Sequence, residues 1–158
     1  MNYSITALEN ALLELIRTTV PQAVTVESYA GQLEGNPEDL AKRWQEIIRR
    51  WPAVFVAYGG GAADMELDEF GGIYGRKVRF DLMVCCRSLR GEAEARRGEA
   101  GAYAILEALR DLVQKKLLPG LYPLEFISEE ALSIFPDSVI YRAVYGFSLE
   151  DQAAEEES

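Results

Sequence analysis

Hydrophobic and polar positions alternate most regularly between Arg76 and Arg87. Val78, Phe80, Leu82, Val84 and Cys86 fall on one side of an extended chain, and Arg79, Asp81, Met83 and Cys85 on the other. A period of two sustained over that length predicts a long β-strand with one firmly buried face. On either side the period changes. Ser4 or Thr6 can cap a first helix running to about Thr19, with Leu8, Leu12, Leu15 and Ile16 as its inward stripe and Pro21 as its stop. Val24–Tyr29 alternates as a short strand and Gly31–Gly35 reads as a loop. Asn36-Pro37 then opens a second helix to about Arg50, with Leu40, Trp44, Ile47 and Ile48 on one side.

Ala53–Tyr58 is a nearly continuous apolar run, the mark of a strand covered on both faces. Gly59-Gly60-Gly61 is expected to break it. Met65–Phe70 alternates weakly, and Gly71-Gly72 reads as a hairpin turn into the long strand, with Gly75 as a candidate bulge. Beyond the long strand an Ala-rich helix is predicted from about Glu92 to Leu118, burying Ala95, Gly98, Ala102, Ile105, Leu106, Leu109, Leu112 and Val113. Gly98 and Gly101 each cost about 1 kcal/mol relative to Ala inside a helix, so a close approach of that helix to the sheet is expected there. Leu118-Pro119-Gly120 ends it. Tyr122–Ile127 reads as a short strand and Glu129–Phe135 has no single period. Val139–Leu149 is a final strand with Val139, Tyr141, Ala143, Tyr145, Phe147 and Leu149 on one face. The order α-β-α-β-β-β-α-β-β predicts an α+β fold, a mostly antiparallel sheet with helices on one face. It fills a single domain over residues 1–150, followed by a disordered acidic tail over residues 151–158.

Composition narrows the function classes. With 158 residues, 49% hydrophobic and 27% charged, the chain is long enough for one domain with a real core and has ordinary globular composition. The formal net charge is -10; four acids in the last eight residues leave about -6 for the remainder. A body that neutralises nucleic-acid phosphates would carry the opposite sign, so direct sequence-specific nucleic-acid binding is not expected. The opening residues do not read as a secretory leader, and no apolar run approaches the roughly 20 residues of a membrane span, so a soluble cytoplasmic product is expected. Cys85 and Cys86 are adjacent in a strand, point to opposite faces, and read as small buried hydrophobes.

Candidate chemistry is sparse. Histidine is absent, which removes the commonest general base and metal ligand. Gly59-Gly60-Gly61 lacks the Lys-Ser/Thr of a phosphate loop and is followed by acids that repel phosphate. Asp64, Glu66 and Asp68 share one face of a strand, yet no loop there wraps a cation with six or more oxygens. No catalytic, cofactor or metal residues are assigned. The charged clusters fit a subunit interface better: Asp64, Glu66, Asp68 and Glu69 on one copy facing Arg87, Arg90, Arg96 and Arg97 on the next, a head-to-tail contact of the kind that closes rings.

Leu89-Arg-Gly91, Arg97-Gly98 and Gly101-Ala-Tyr103, followed by Leu106 and Leu109, together with Tyr141-Arg-Ala-Val-Tyr145, resemble the Mu-like prophage tail protein family. The likeness spans about Met1 to Glu150 and is strongest between Arg79 and Leu118. The family is similar to the tail terminators of contractile-tailed phages and related bacteriocins. The resemblance implies a non-catalytic virion structural protein, assembled in the host cytoplasm, that forms a six-fold ring of its own copies and ends tail-tube polymerisation. Its implied partners are the tail tube, the sheath, and neck or head-completion proteins; it implies no cofactor and no membrane. The alternatives are another neck, head-completion or tail accessory subunit, or a carboxylate-based hydrolase using the Asp64–Glu69 cluster.

Overall fold

The structure, a computed structural model of the chain, describes residues 3–29, 51–63, 73–88, 91–99, 101–119, 121–134, 136 and 138–152. These form helix α1 (Ile5–Thr19), strands β1 (Thr25–Ser28), β2 (Ala53–Ala63) and β3 (Ile73–Arg87), helices α2 (Glu92–Arg97) and α3 (Ala102–Arg110), and strands β4 (Glu125–Ile134) and β5 (Ser138–Gln152). The strands make one sheet in the order β1-β2-β3-β5-β4, antiparallel except where β1 runs parallel to β2. This is the α+β arrangement that the periodicity predicts. The second helix, Glu38–Arg50, the strand Met65–Phe70, its turn and the Gly31–Gly35 loop lie outside the described residues.

The two faces of the sheet follow from the alternation. Val78, Phe80, Leu82, Val84 and Cys86 of β3, Val54 and Val56 of β2, and Val139, Ala143, Tyr145, Phe147 and Leu149 of β5 are all shut from solvent on one side. There they meet Leu8, Leu12 and Ile16 of α1, Ala95 of α2, and Ile105 and Leu109 of α3. The described helices therefore lie on one face. Phe80 stands at the centre, stacked on Phe147 at 6.1 Å and edge-on to Tyr58 at 5.7 Å. Helix α1 begins where expected: Ser4 Oγ accepts from the Ala7 N–H at 3.0 Å, satisfying a free donor of the first turn. On the other face a smaller cluster gathers Ala53, Phe55, Cys85 and Ile140, with Tyr29, Trp51 and Met83 packed against it. The apolar run Ala53–Val56 is buried on both sides for this reason. Cys85 and Cys86 belong to opposite faces, as free thiols.

Several expectations are corrected. Gly59-Gly60-Gly61 does not break β2; the strand continues through it to Ala63, with a bulge between Tyr58 and Gly60 and Gly60 at φ +121°. Strand β3 is long enough to keep pairing there, and glycine lets β2 slip under its neighbours. A Cβ on Gly59 would sit 2.6 Å from Asp81 Oδ1, and one on Gly61 would sit 2.7 Å from the Tyr58 hydroxyl. The Ala-rich helix is not continuous. Gly98 closes α2 with its N–H on the Glu94 carbonyl at 2.9 Å and Gly101 precedes α3, both extended. The glycines mark a corner between two helices, and helix–sheet contact is not what selects them.

The inward stripe nevertheless holds across the corner, since Ala95, Ala102, Ile105, Leu106, Leu109 and Leu112 are all buried. Past Arg110 the chain turns instead of continuing to Leu118. Gln114, at φ +75°, donates its N–H to the Leu124 carbonyl at 3.0 Å, and Leu124 returns one to Lys115 at 2.8 Å. Parts of the two segments expected over Tyr122–Ile127 and Glu129–Phe135 join in a single strand, β4, over Glu125–Ile134. Finally, Gly75 pairs with Glu150 without any shift in the β3–β5 register, and β5 carries Asp151 and Gln152 of the expected tail. Residues 153–158 lie outside the described set.

Candidate functional site

Of the charged residues singled out for an interface, Asp64, Glu66, Asp68, Glu69 and Arg90 lie outside the described residues. Arg87 ends β3 opposite Ser138. Arg96 and Arg97 occupy the last turn of α2, where cations suit the negative end of a helix. They behave differently. Arg96 folds across the Gly98–Gly101 corner onto α3: its Nη1 donates to the Tyr103 hydroxyl at 3.0 Å and its guanidinium sits 5.9 Å from the ring centre. Arg97 is exposed. The structure thus turns one member of the basic cluster into an internal brace.

Tyr103 in turn meets Tyr141 of β5 edge-on at 6.1 Å. These rings open one end of a groove of about 310 Å³ between α3 and the β4–β5 pair, lined by Tyr103, Leu106, Glu107, Arg110, Glu129, Glu130, Ala131 and Tyr141. Arg110 spans it to Glu129, donating from Nε to Oε2 at 3.3 Å and from Nη2 to Oε1. This paired carboxylate holds the Arg110 guanidinium more firmly protonated than usual. Arg110 also sits 5.9 Å from the Phe126 ring centre, and Phe126 is edge-on to Tyr145 at 5.7 Å. The Tyr145 phenol is buried, and that desolvation pushes its pKa well up, with Glu129 adding to the effect. Charges here are tied to one another, in an arrangement that fixes β4 against α3.

Strand β4 itself was not singled out by sequence. It forms one edge of the sheet, and along its whole length no residue is fully buried. Two bulges interrupt its pairing with β5, one at Ile127 and one at Leu132. Phe126, Ile127, Leu132 and Ile134 are 42%, 43%, 44% and 55% exposed, an unusual concentration of apolar surface on one strand. The signal in the sequence was Glu-Phe-Ile-Ser-Glu-Glu-Ala-Leu-Ser-Ile, whose alternation slips at each bulge and so looked like two unrelated pieces. On the sheet face away from the helices, a second concavity of about 340 Å³ is floored by Gly59–Ala62 and edged by Lys77, Arg79 and Ile127. Arg79 Nε donates to the Gly59 carbonyl at 2.8 Å and Lys77 pairs with Glu125 at 3.1 Å. These glycines lie in a strand, not at a helix N-terminus, so they do not present the backbone donors of a phosphate loop.

Neither cysteine is poised to react. Burial, and then the neighbouring Cys86 thiol, raise the Cys85 pKa, and burial pushes Cys86 up to about 12. Among the described residues no three His, Cys, Asp or Glu side chains gather as a metal site, and no helix is long and apolar enough to cross a membrane.

The model of the family described as "Bacteriophage Mu, Gp37" matches residues 4–139. The chain belongs to the bacteriophage Mu Gp37 family. The expectation of a Mu-like phage tail structural protein, carried by Arg97-Gly98 and Gly101-Ala-Tyr103, stands with it. Among solved structures, the fold is similar to that of a chain in "Virion of native gene transfer agent (GTA) particle", with a TM-score of 0.54 and 19% identity, over 95% of this chain and 100% of that one. At that identity the likeness is one of fold. No curated protein matches the chain at a significant level. The matched residues cover the α2–α3 corner and the β4 edge, so the features above belong to the family's region of the chain.

Proposed function

We propose that this protein is a tail terminator. Its copies close into a ring, a hexamer by analogy with the tail terminators its sequence resembles, on the end of the completed tail tube. The ring stops polymerisation and presents a joining surface to the neck or head. The observation that carries this reading is the Mu Gp37 family match across residues 4–139. Similarity of fold to a chain of an assembled virion supports it, as does a sheet edge whose apolar side chains face outward.

In this reading the protein makes and breaks no covalent bonds. The absence of histidine and the protonated, enclosed thiols support that. Charge pairing between Asp64, Glu66, Asp68 and Glu69 of one copy and Arg87, Arg90 and Arg97 of the next sets register in the ring more than it adds affinity. Light scattering coupled to size exclusion, with and without the cognate tube protein, tests the reading. Ring-sized species in the presence of tube protein are expected. Monomer alone at every concentration, tube protein included, overturns it.

A further inference from the structure

The two edges of the sheet are finished differently. At the β1 edge, Thr25 and Tyr29 turn their N–H groups to β2, so the Val26 carbonyl faces outward. Arg17 of α1 takes it, donating from Nε at 3.2 Å and Nη2 at 2.8 Å, and Ser28 Oγ donates to Glu9 Oε2 at 3.1 Å. That edge is closed to a pairing strand, while Val24 beside it is 46% exposed. At the β4 edge no comparable side chain caps the strand among the described residues, and four large apolar side chains stand out.

We propose that the β4 edge is where a second copy of this chain docks, packing side chain to side chain against the α1–β1 edge of that copy. The proposal rests on the ring reading and names its contact. A head-to-tail ring needs two different surfaces on opposite sides of the subunit, and β4 and β1 are the two ends of the strand order. Charge selects a copy over a basic partner. The three carboxylates of β4 are already answered within the chain, Glu125 by Lys77, Glu129 by Arg110 and Glu130 by Arg142.

The β4 edge therefore brings no unanswered carboxylate to a contact with a second molecule of net charge -10, and a cationic partner finds its carboxylates already engaged. The bulges at Ile127 and Leu132 twist the edge out of register and block strand addition, which leaves their side chains as the contact. Four half-exposed side chains cannot supply the roughly 800 Å² per partner of a stable pair. Association along β4 is weak until the tube end holds several copies in place.

Sedimentation velocity of the full chain, alone and with isolated tail tubes, reads the proposal through Ile127→Lys, Leu132→Lys and Val24→Lys, with Leu132→Ser as a milder variant. All three positions are exposed, so each variant is expected to melt like wild type. Ring formation is expected to be lost in the Lys variants, with self-association weakened at least about tenfold. Mixing Leu132→Lys with Val24→Lys is expected to give a two-copy species and no ring, because each brings one intact edge. Rings from both Ile127→Lys and Leu132→Lys overturn the inference and leave the ring reading standing. Failure of the mixture to pair under the conditions in which wild type forms rings overturns the head-to-tail assignment. Wild type that stays monomeric with tubes present overturns both.

Discussion

Tyr145 shows how one atom can be left over by an otherwise complete core. Its ring is among the largest groups enclosed by the fold, yet its hydroxyl finds no hydrogen-bond partner among the described residues. Burying a hydroxyl without a partner costs about 1–3 kcal/mol. Tyr145→Phe keeps the ring against Phe126 and removes that cost, so its denaturant midpoint is expected to stay level or rise; a fall would mean that the hydroxyl is engaged. The thiols make a second residue-scale case. A Cys86 pKa raised from 9.0 to about 12 means that the unfolded chain loses its proton first. The stability Cys86 contributes is complete below pH 9 and is lost as pH rises towards 12, at about 1.4 kcal/mol per pH unit per thiol. Cys85 shifts the same way. Thermal melts between pH 8 and 11 check this (roughly the window in which the shifted thiol decides the sign): the wild-type melting temperature falls, and Cys86→Ala falls less steeply.

At the scale of elements, the corner between α2 and α3 separates two accounts of Gly98. In a continuous helix Gly98→Ala would stabilise by about 1 kcal/mol. At the observed corner the added Cβ lies 2.7 Å from the Glu94 carbonyl oxygen, a backbone atom that cannot step aside. The variant is therefore expected to lose about 1–3 kcal/mol in urea unfolding, with no change in the slope of the transition. A gain would restore the single helix. The same corner explains what was legible in the sequence. Residues 92–118 keep one buried stripe across the break, so the face was readable from periodicity; the break was not, because glycine fits both a tolerated helix site and a corner.

Strands with one face on the helices were readable for the same reason, as Val78 to Cys86 and Val139 to Leu149 show. The continuation of β2 through Gly59–Gly61 depends on β3 being there to pair with it, a contact far away in sequence that no local pattern encodes. The β4 surface was hidden by its two bulges. Its ties to Arg110, Arg142 and Lys77 join residues that only the fold brings together.

For the whole molecule, the arrangement among the described residues is a sheet stiffened on one face by three helices, with one edge closed by α1 and the other left apolar and locally neutral. Stability belongs to the core: Phe80→Ala, which empties the space between Phe147 and Tyr58, is expected to cost about 3–5 kcal/mol. In the proposed reading assembly belongs to the rim, where substitutions are expected to leave melting unchanged and move only association. That separation is what the proposed ring of copies requires. The most direct test is electron microscopy of growing tail tubes supplied with this protein. The account predicts that elongation stops and that a ring of copies sits on one end of each tube. Tubes that keep lengthening, with bare ends at saturating protein, would contradict it.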